Sequence, residues 1–212
     1  NGESNRDGSS ESYSANYGVE GASDDPSVET VRVRQIKNFL LTIAVSRGVP
    51  MLLGGDEFRR SQRGNNNAYC QDNETSWVDW SLLDRNREVF QFARGVFTLR
   101  RAHPELRREA FYTDEDIRWF NQSGNKPDWF DPRQKCLACF IPGHDGADLF
   151  LMFNADSDAV TFVLPPCSPR SWRLATDTAA PTSFYGPHNE AVLANPARYL
   201  VQSRSSVIVV AR

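Results

Sequence analysis

A sustained hydrophobic rhythm begins only after residue 25. Ile36, Phe39, Leu40 and Ile43 recur at helical spacing and predict a helix that buries these side chains. Asp25 is an N-cap acceptor and Pro26 sits at the first helical position, where its missing N–H costs nothing. Gly48 is the expected stop, so the helix runs over about 26–47. Val49-Pro-Met-Leu-Leu53 follows at once, apolar on both parities and ended by Gly54-Gly55, which predicts a short strand buried on both faces. Helix, tight turn and buried strand form one step of an α/β fold. A second amphipathic helix is predicted over about 85–102, with Val89, Phe92, Ala93, Val96, Phe97 and Leu99 as its apolar set and His103-Pro104 closing it.

From Glu105 the period shortens. Apolar runs at Ile117–Phe120, Cys136–Ile141, Leu149–Phe153, Val160–Leu164, Ser171–Ala175, Tyr199–Gln202 and Val207–Val210 alternate with Pro- and Gly-rich turns. They predict an antiparallel β-domain, a small sandwich. Two stretches, 1–24 and 54–84, are rich in Gly, Asn, Ser and Asp and read as long loops, which in compact domains usually serve function.

Composition narrows the partners. At 212 residues with 40% hydrophobic side chains the chain can bury a real core, and a net charge of −3 gives no reason to expect nucleic acid or an anionic membrane. No stretch reads as a bilayer span, and the polar Asn1–Ser14 segment does not read as a secretory signal. Asn1-Gly-Glu-Ser-Asn-Arg-Asp-Gly8 reads as a loop rather than the start of a domain, which suggests a truncated chain. Cys136 and Cys139 form a C-x-x-C, but inside a strand residues three apart point to opposite faces. With no second C-x-x-C and with His103, His144 and His188 scattered, no metal or cofactor is expected; the thiols read as buried groups in a reducing, cytoplasmic setting.

Gly48-Val-Pro-Met-Leu-Leu-Gly-Gly-Asp-Glu57 resembles the eighth-strand signature of the α-amylase superfamily. Gly64-Asn-Asn-Asn-Ala-Tyr-Cys-Gln-Asp-Asn73 and Trp77-Val-Asp-Trp80 resemble the loop that follows it in isoamylase-type glycogen debranching enzymes. Asn1–Gly8 and Tyr17–Gly21 are similar to the segment after the seventh strand of that family, and Trp172, Asp177-Thr178 and Ser203–Arg212 to the end of its C-terminal β-domain. The resemblance implies the C-terminal end of a (β/α)8 TIM barrel over 1–104, followed by an antiparallel β-sandwich over 105–212.

It also implies retaining hydrolysis of α-1,6 branch linkages in α-glucans such as glycogen, amylopectin or limit dextrin, which needs a carboxylate pair flanking the scissile bond. The family carries those acids on strands upstream of Asn1, so no catalytic residue is expected here. Asp56 and Glu57 are not that pair, because sequence neighbours at a strand end point apart.

Sugar-binding capacity is another matter. Barrel sites lie on loops at the C-terminal ends of strands, and polyols call for groups that both donate and accept. Asn65, Asn66, Asn67, Tyr69, Gln71, Asp72 and Asn73 concentrate such groups, while Glu57, Arg59, Asn5 and Arg6 could reach the same cleft. The alternative is structural: Asx turns for the Asn run, a loop-internal pair for Arg6 and Asp7, loop-fixing pairs for Glu57 and Arg59. Trp77 and Trp80 are expected to pack beneath the loop. Two further expectations concern association: a truncated chain could serve as a non-catalytic α-glucan-binding protein, and an unpaired apolar strand at 49–53 could draw two copies together.

Overall fold

The computed structural model describes residues 2–4, 6–11, 13–143 and 147–212. Its first helix, α1, spans Pro26–Val45, and the Asp25 carboxylate accepts the Ser27 N–H at 2.8 Å. Gly48 has φ +92°, a left-handed turn that suits glycine and directs the chain away from the helix.

The buried face of α1 differs from the expected one. Val28, Lys37, Leu40, Leu41 and Ala44 are buried. Ile36 and Ile43 are half-buried, and Phe39 is 67% exposed. The helix packs through its 37–40–41–44 stripe, so its second apolar stripe, 36–39–43, faces an open groove shared with Leu52.

Val49–Leu53 forms no strand. Val49 is 94% and Met51 89% exposed. The physical reason is pairing: no described strand lies beside this segment to complete its backbone hydrogen bonds. The expected barrel end is corrected accordingly, because the described residues contain no barrel sheet. Residues before 105 supply helices and loops instead. A short α2, Leu82–Arg85, breaks at Asn86 and continues as α3, Arg87–Ala102, whose buried set of Val89, Phe92, Ala93, Val96 and Leu99 follows the sequence pattern.

The β-domain is built on one six-stranded antiparallel sheet. In chain order its strands are β1 (Arg118–Phe120), β2 (Cys136–Ile141), β3 (Asp148–Asn154), β5 (Trp172–Asp177), β6 (Ala191–Val192) and β8 (Ser205–Ala211). Their spatial order is β1-β2-β3-β8-β5-β6. Two remaining strands, β4 (Val160–Val163) and β7 (Arg198–Val201), pair as a separate ribbon. The expected strands are present, and β6 is an addition.

Alternation across the pleat sorts the sheet's side chains into two cores. Leu149, Leu151, Ile208, Val210 and Cys139 meet α1 and α3. Phe150, Met152, Val207, Val209 and Cys136 meet the ribbon, together with Phe162 and Trp172. The two cysteines of the C-x-x-C therefore face opposite ways, and burial pushes the Cys139 thiol up to about 12. Helices cover one face and a β-ribbon the other, so the sandwich has a second sheet of only two strands. Each fully buried Leu, Val or Phe contributes roughly 1.5–3 kcal/mol. The helix-face core draws on residues both before and after 105, which ties the helices to the β-domain. Among the described residues no helix is long and apolar enough to cross a membrane.

Candidate functional site

The loop after Leu53 opens with tight local geometry. Gly55 has φ +101°, Asp56–Phe58 form a single 3-10 turn, and Glu57 folds back so that its carboxylate accepts the Gly55 N–H at 2.8 Å. Phe58 is buried and anchors the turn, with its carbonyl accepting from Asn86 Nδ2 at 3.1 Å. Desolvation raises the Asp56 carboxyl, against the pull of Arg60. Arg60 Nη2 donates to the Ser76 carbonyl at 2.6 Å and closes the loop on itself.

Two loops meet here. Asn67 Nδ2 donates to the Asp7 carbonyl at 2.8 Å, and Asn66 Nδ2 donates to the Ser9 carbonyl at 3.1 Å. Between those carbonyls stands Gly8, where a Cβ would lie 2.2 Å from Asn66 Oδ1, so a larger residue there would displace the Asn66 amide from its present position. A second fastening lies at the first turns of α1. Arg32 donates to the carbonyls of Asn16, Val19 and Gly21, pinning the first loop. Glu29 pairs with Arg32 at 3.2 Å and with Arg59 at 2.8 Å, bridging to the second loop. Burial raises the Glu29 carboxyl, but the hydrogen bonds and charges of Arg59 and Arg32 outweigh that and leave it below its ordinary value.

The expected site residues divide by what they touch. Asn65 Oδ1 accepts the Asn67 N–H, Asn67 Oδ1 the Tyr69 N–H, and Asn73 Oδ1 the Thr75 N–H, which are Asx turns. Gln71 Oε1 accepts from Asn73 Nδ2, and Asp72 Oδ1 from the Trp77 indole at 2.9 Å. Arg6 Nε turns onto the Glu3 carbonyl at 3.3 Å. Tyr69 is 78% exposed. Asn5 lies outside the described residues. Trp77 and Trp80 are exposed on the loop rather than packed beneath it; Trp80 rests against Phe58 at 5.7 Å between ring centres, because the buried Phe58 already fills the space below.

Sequence reading missed Glu29, Arg32 and Arg60, which hold the loops. An Arg three residues after a Glu near a helix start was a visible signal, but its carbonyl targets in a distant loop were not.

Among the described residues the loops form an amide-rich surface edged by exposed aromatic rings. The β-domain is similar to a recognised class: residues 116–210 match the model of the isoamylase C-terminal domain. Over most of its length the chain is similar to isoamylase-type glycogen debranching enzymes. It is 43% identical over 189 residues to the glycogen operon protein GlgX homolog of Mycobacterium bovis, covering 78% of this chain and 26% of the relative. It is 38% identical over 169 residues to the glycogen debranching enzyme of Pectobacterium carotovorum, covering 78% of this chain and 25% of the relative. Among solved structures, a pullulanase from Paenibacillus barengoltzii in complex with maltohexaose and α-cyclodextrin superposes with a TM-score of 0.63 at 26% identity, over 90% of this chain and 26% of that one. The chain therefore spans about a quarter of the length of the relatives it matches.

Proposed function

We propose that this chain is the C-terminal portion of a glycogen debranching enzyme that hydrolyses α-1,6 branch linkages of α-glucans by a retaining mechanism, and that it binds glucan without cleaving it when alone. The observation that carries this reading is the interlocking of the two loops through Asn67–Asp7 and Asn66–Ser9, on a segment whose Tyr69, Trp77 and Trp80 are all exposed. The similarity to a glycogen debranching enzyme supports the substrate class. The ligands named for the pullulanase complex support a maltooligosaccharide as the bound species.

In this role the chain's own residues bind and orient. Asn65, Asn66, Asn67, Gln71, Asp72 and Asn73 shape the loop and present amide and carboxylate groups to sugar hydroxyls. Tyr69 offers a ring face to a glucose unit. Glu57 and Arg59 fix the start of the loop through Gly55 and Glu29.

Reducing-end release from glycogen and pullulan by the purified chain tests the first half, and no turnover is expected. Turnover that vanished in Glu57→Gln would overturn the assignment of roles. For the second half, Tyr69→Ala should weaken maltohexaose binding at the loops by about 1 kcal/mol, the value of one stacking contact. Unchanged loop resonances on titration would contradict a glucan surface there.

A further inference from the structure

Gly55 and Arg59 bound the Asp56–Phe58 turn, and both take the left-handed conformation, at φ +101° and φ +66°. Glycine reaches that region freely, whereas an L side chain crowds its Cβ against the backbone there. The residue that ends a helical turn in this conformation is therefore most favourably glycine. Arginine stands at 59 instead, with its N–H donating to the Asp56 carbonyl at 3.2 Å to close the turn. What the arginine contributes lies beyond the turn.

Arg59 Nη2 donates to Glu29 Oε2 at 2.8 Å, back on the first turn of α1. The other oxygen of that carboxylate, Oε1, accepts from Arg32 Nη1 at 3.2 Å. Arg32 in turn holds the first loop, with Nη2 donating to the Asn16 carbonyl at 2.8 Å and Nη1 to the Gly21 carbonyl at 2.7 Å. One line of charge-assisted contacts therefore runs from the first loop through Arg32 and Glu29 to the residue that opens the second loop. Both arginines border an open cleft of about 560 Å³ that Asn16 and Tyr17 of the first loop also line, so the segments joined by Glu29 face one common space. Arg63 makes the contrast. It too is left-handed, at φ +55°, but its guanidinium pairs with Glu74 of its own loop, and both side chains are more than two-thirds exposed, at 69% and 68%. The side chains of Glu29, Arg32 and Arg59 are exposed by only 30%, 15% and 24%. Partial burial reduces screening by water and salt, which is what leaves most surface ion pairs with little hold on geometry.

We propose that Glu29 and Arg59 are positioning residues: the carboxylate couples the two loops, and the left-handed arginine serves its pair with Glu29 rather than the turn. Glucan contact by the second loop then depends on a pair anchored to α1, and not only on the groups that touch sugar. That dependence rests on the reading of the loops as a glucan surface, whereas the coupling of the loops does not. The proposal has a sharp consequence. If Arg59 served only the turn, glycine would serve it better, so Arg59→Gly separates the two roles. If Arg59 met sugar directly, removing Glu29 would release it to do so.

The test compares the purified chain with Arg59→Gly, Arg59→Lys, Glu29→Gln and the matched control Arg63→Gly. Each is titrated with maltohexaose, its Tm is measured, and the side-chain amide resonances of Asn67, which donates to the Asp7 carbonyl across the loops, are followed without ligand. Arg59→Gly should leave Tm unchanged or raised, since relief of the left-handed strain offsets the lost pair. It should nevertheless weaken maltohexaose by about fivefold, the upper end of what a partly exposed ion pair supplies. The Asn67 amide should move toward the position of a free amide. Glu29→Gln should weaken binding in the same direction, and the double variant should bind no more weakly than Glu29→Gln alone. Arg59→Lys, which keeps the charge, should retain most of the affinity, and Arg63→Gly should match wild type. Unchanged maltohexaose affinity and an unmoved Asn67 resonance in Arg59→Gly, whatever its Tm, would overturn the proposal. Tighter binding by Glu29→Gln would overturn it as well, by showing that Arg59 meets sugar itself. If the wild-type chain shows no maltohexaose shifts in the loops, the glucan reading fails, and the Asn67 resonance alone decides the coupling.

Discussion

Arg100 shows how one side chain can hold a helix end. It is buried on α3, yet its guanidinium donates to the Ala44 carbonyl at 2.7 Å, the Ser46 carbonyl at 2.8 Å and the Gly48 carbonyl at 2.7 Å. These carbonyls lie at and just beyond the last turn of α1, which has no basic residue of its own and would otherwise present unmatched acceptors and the negative end of its dipole. Burial lowers the Arg100 pKa, a desolvation cost that the three acceptors offset. Arg100→Ala should therefore destabilise the chain by about 3 kcal/mol, since hydrogen bonds to a charged donor are worth about 1.5–3 kcal/mol each and three acceptors are left buried or half-buried. Urea unfolding of the two proteins measures it. A loss below about 1 kcal/mol would mean that water replaces the guanidinium at no cost.

At the scale of elements, α3 carries a glycine where helix propensity argues for alanine. Gly95 faces Phe184, and a Cβ there would lie 2.5 Å from the ring. Gly95→Ala would gain about 1 kcal/mol of helix propensity and lose about 1–3 kcal/mol to overpacking. A net destabilisation is expected in thermal unfolding, whereas a raised Tm would show that Phe184 moves aside freely. The wider pattern follows from what each element needs in order to form. The long central strands were legible because β3 and β8 are apolar on both faces, and both faces are buried. β6, two residues long and exposed, has no such signature and exists only by pairing with Arg173 and Leu174. The stripe on α1 was misread because the helix has two apolar faces, and only tertiary packing decides which is covered. Val49–Leu53 has the composition of a buried strand, but a strand is a property of a pair, and no partner is present among the described residues. At the candidate site the Asn-rich loop was legible as a cluster of hydrogen-bonding groups. Its fastening by Asp7, Glu29 and Arg32 was not, because those contacts join residues far apart in sequence.

At the scale of the whole molecule, α1 and the segment after it carry apolar side chains that the described residues leave uncovered. Phe39 and Ile43 line a groove with Leu52, and Val49, Met51 and Leu53 just beyond α1 are exposed. The helix-face core and the β-ribbon core are complete without them. A surface of this kind is expected where a longer polypeptide packs, and the relatives are about four times the length of the region they share with this chain. If the chain supplies the C-terminal quarter of a debranching enzyme, that surface should fit the remainder of a relative. The direct measurement replaces the matching quarter of the Pectobacterium carotovorum enzyme with residues 1–212 and follows debranching of glycogen limit dextrin. The account predicts a folded chimera that releases linear chains, with activity reduced when Asn66, Asn67 and Tyr69 are together changed to alanine. A folded chimera that leaves every α-1,6 branch intact would contradict it.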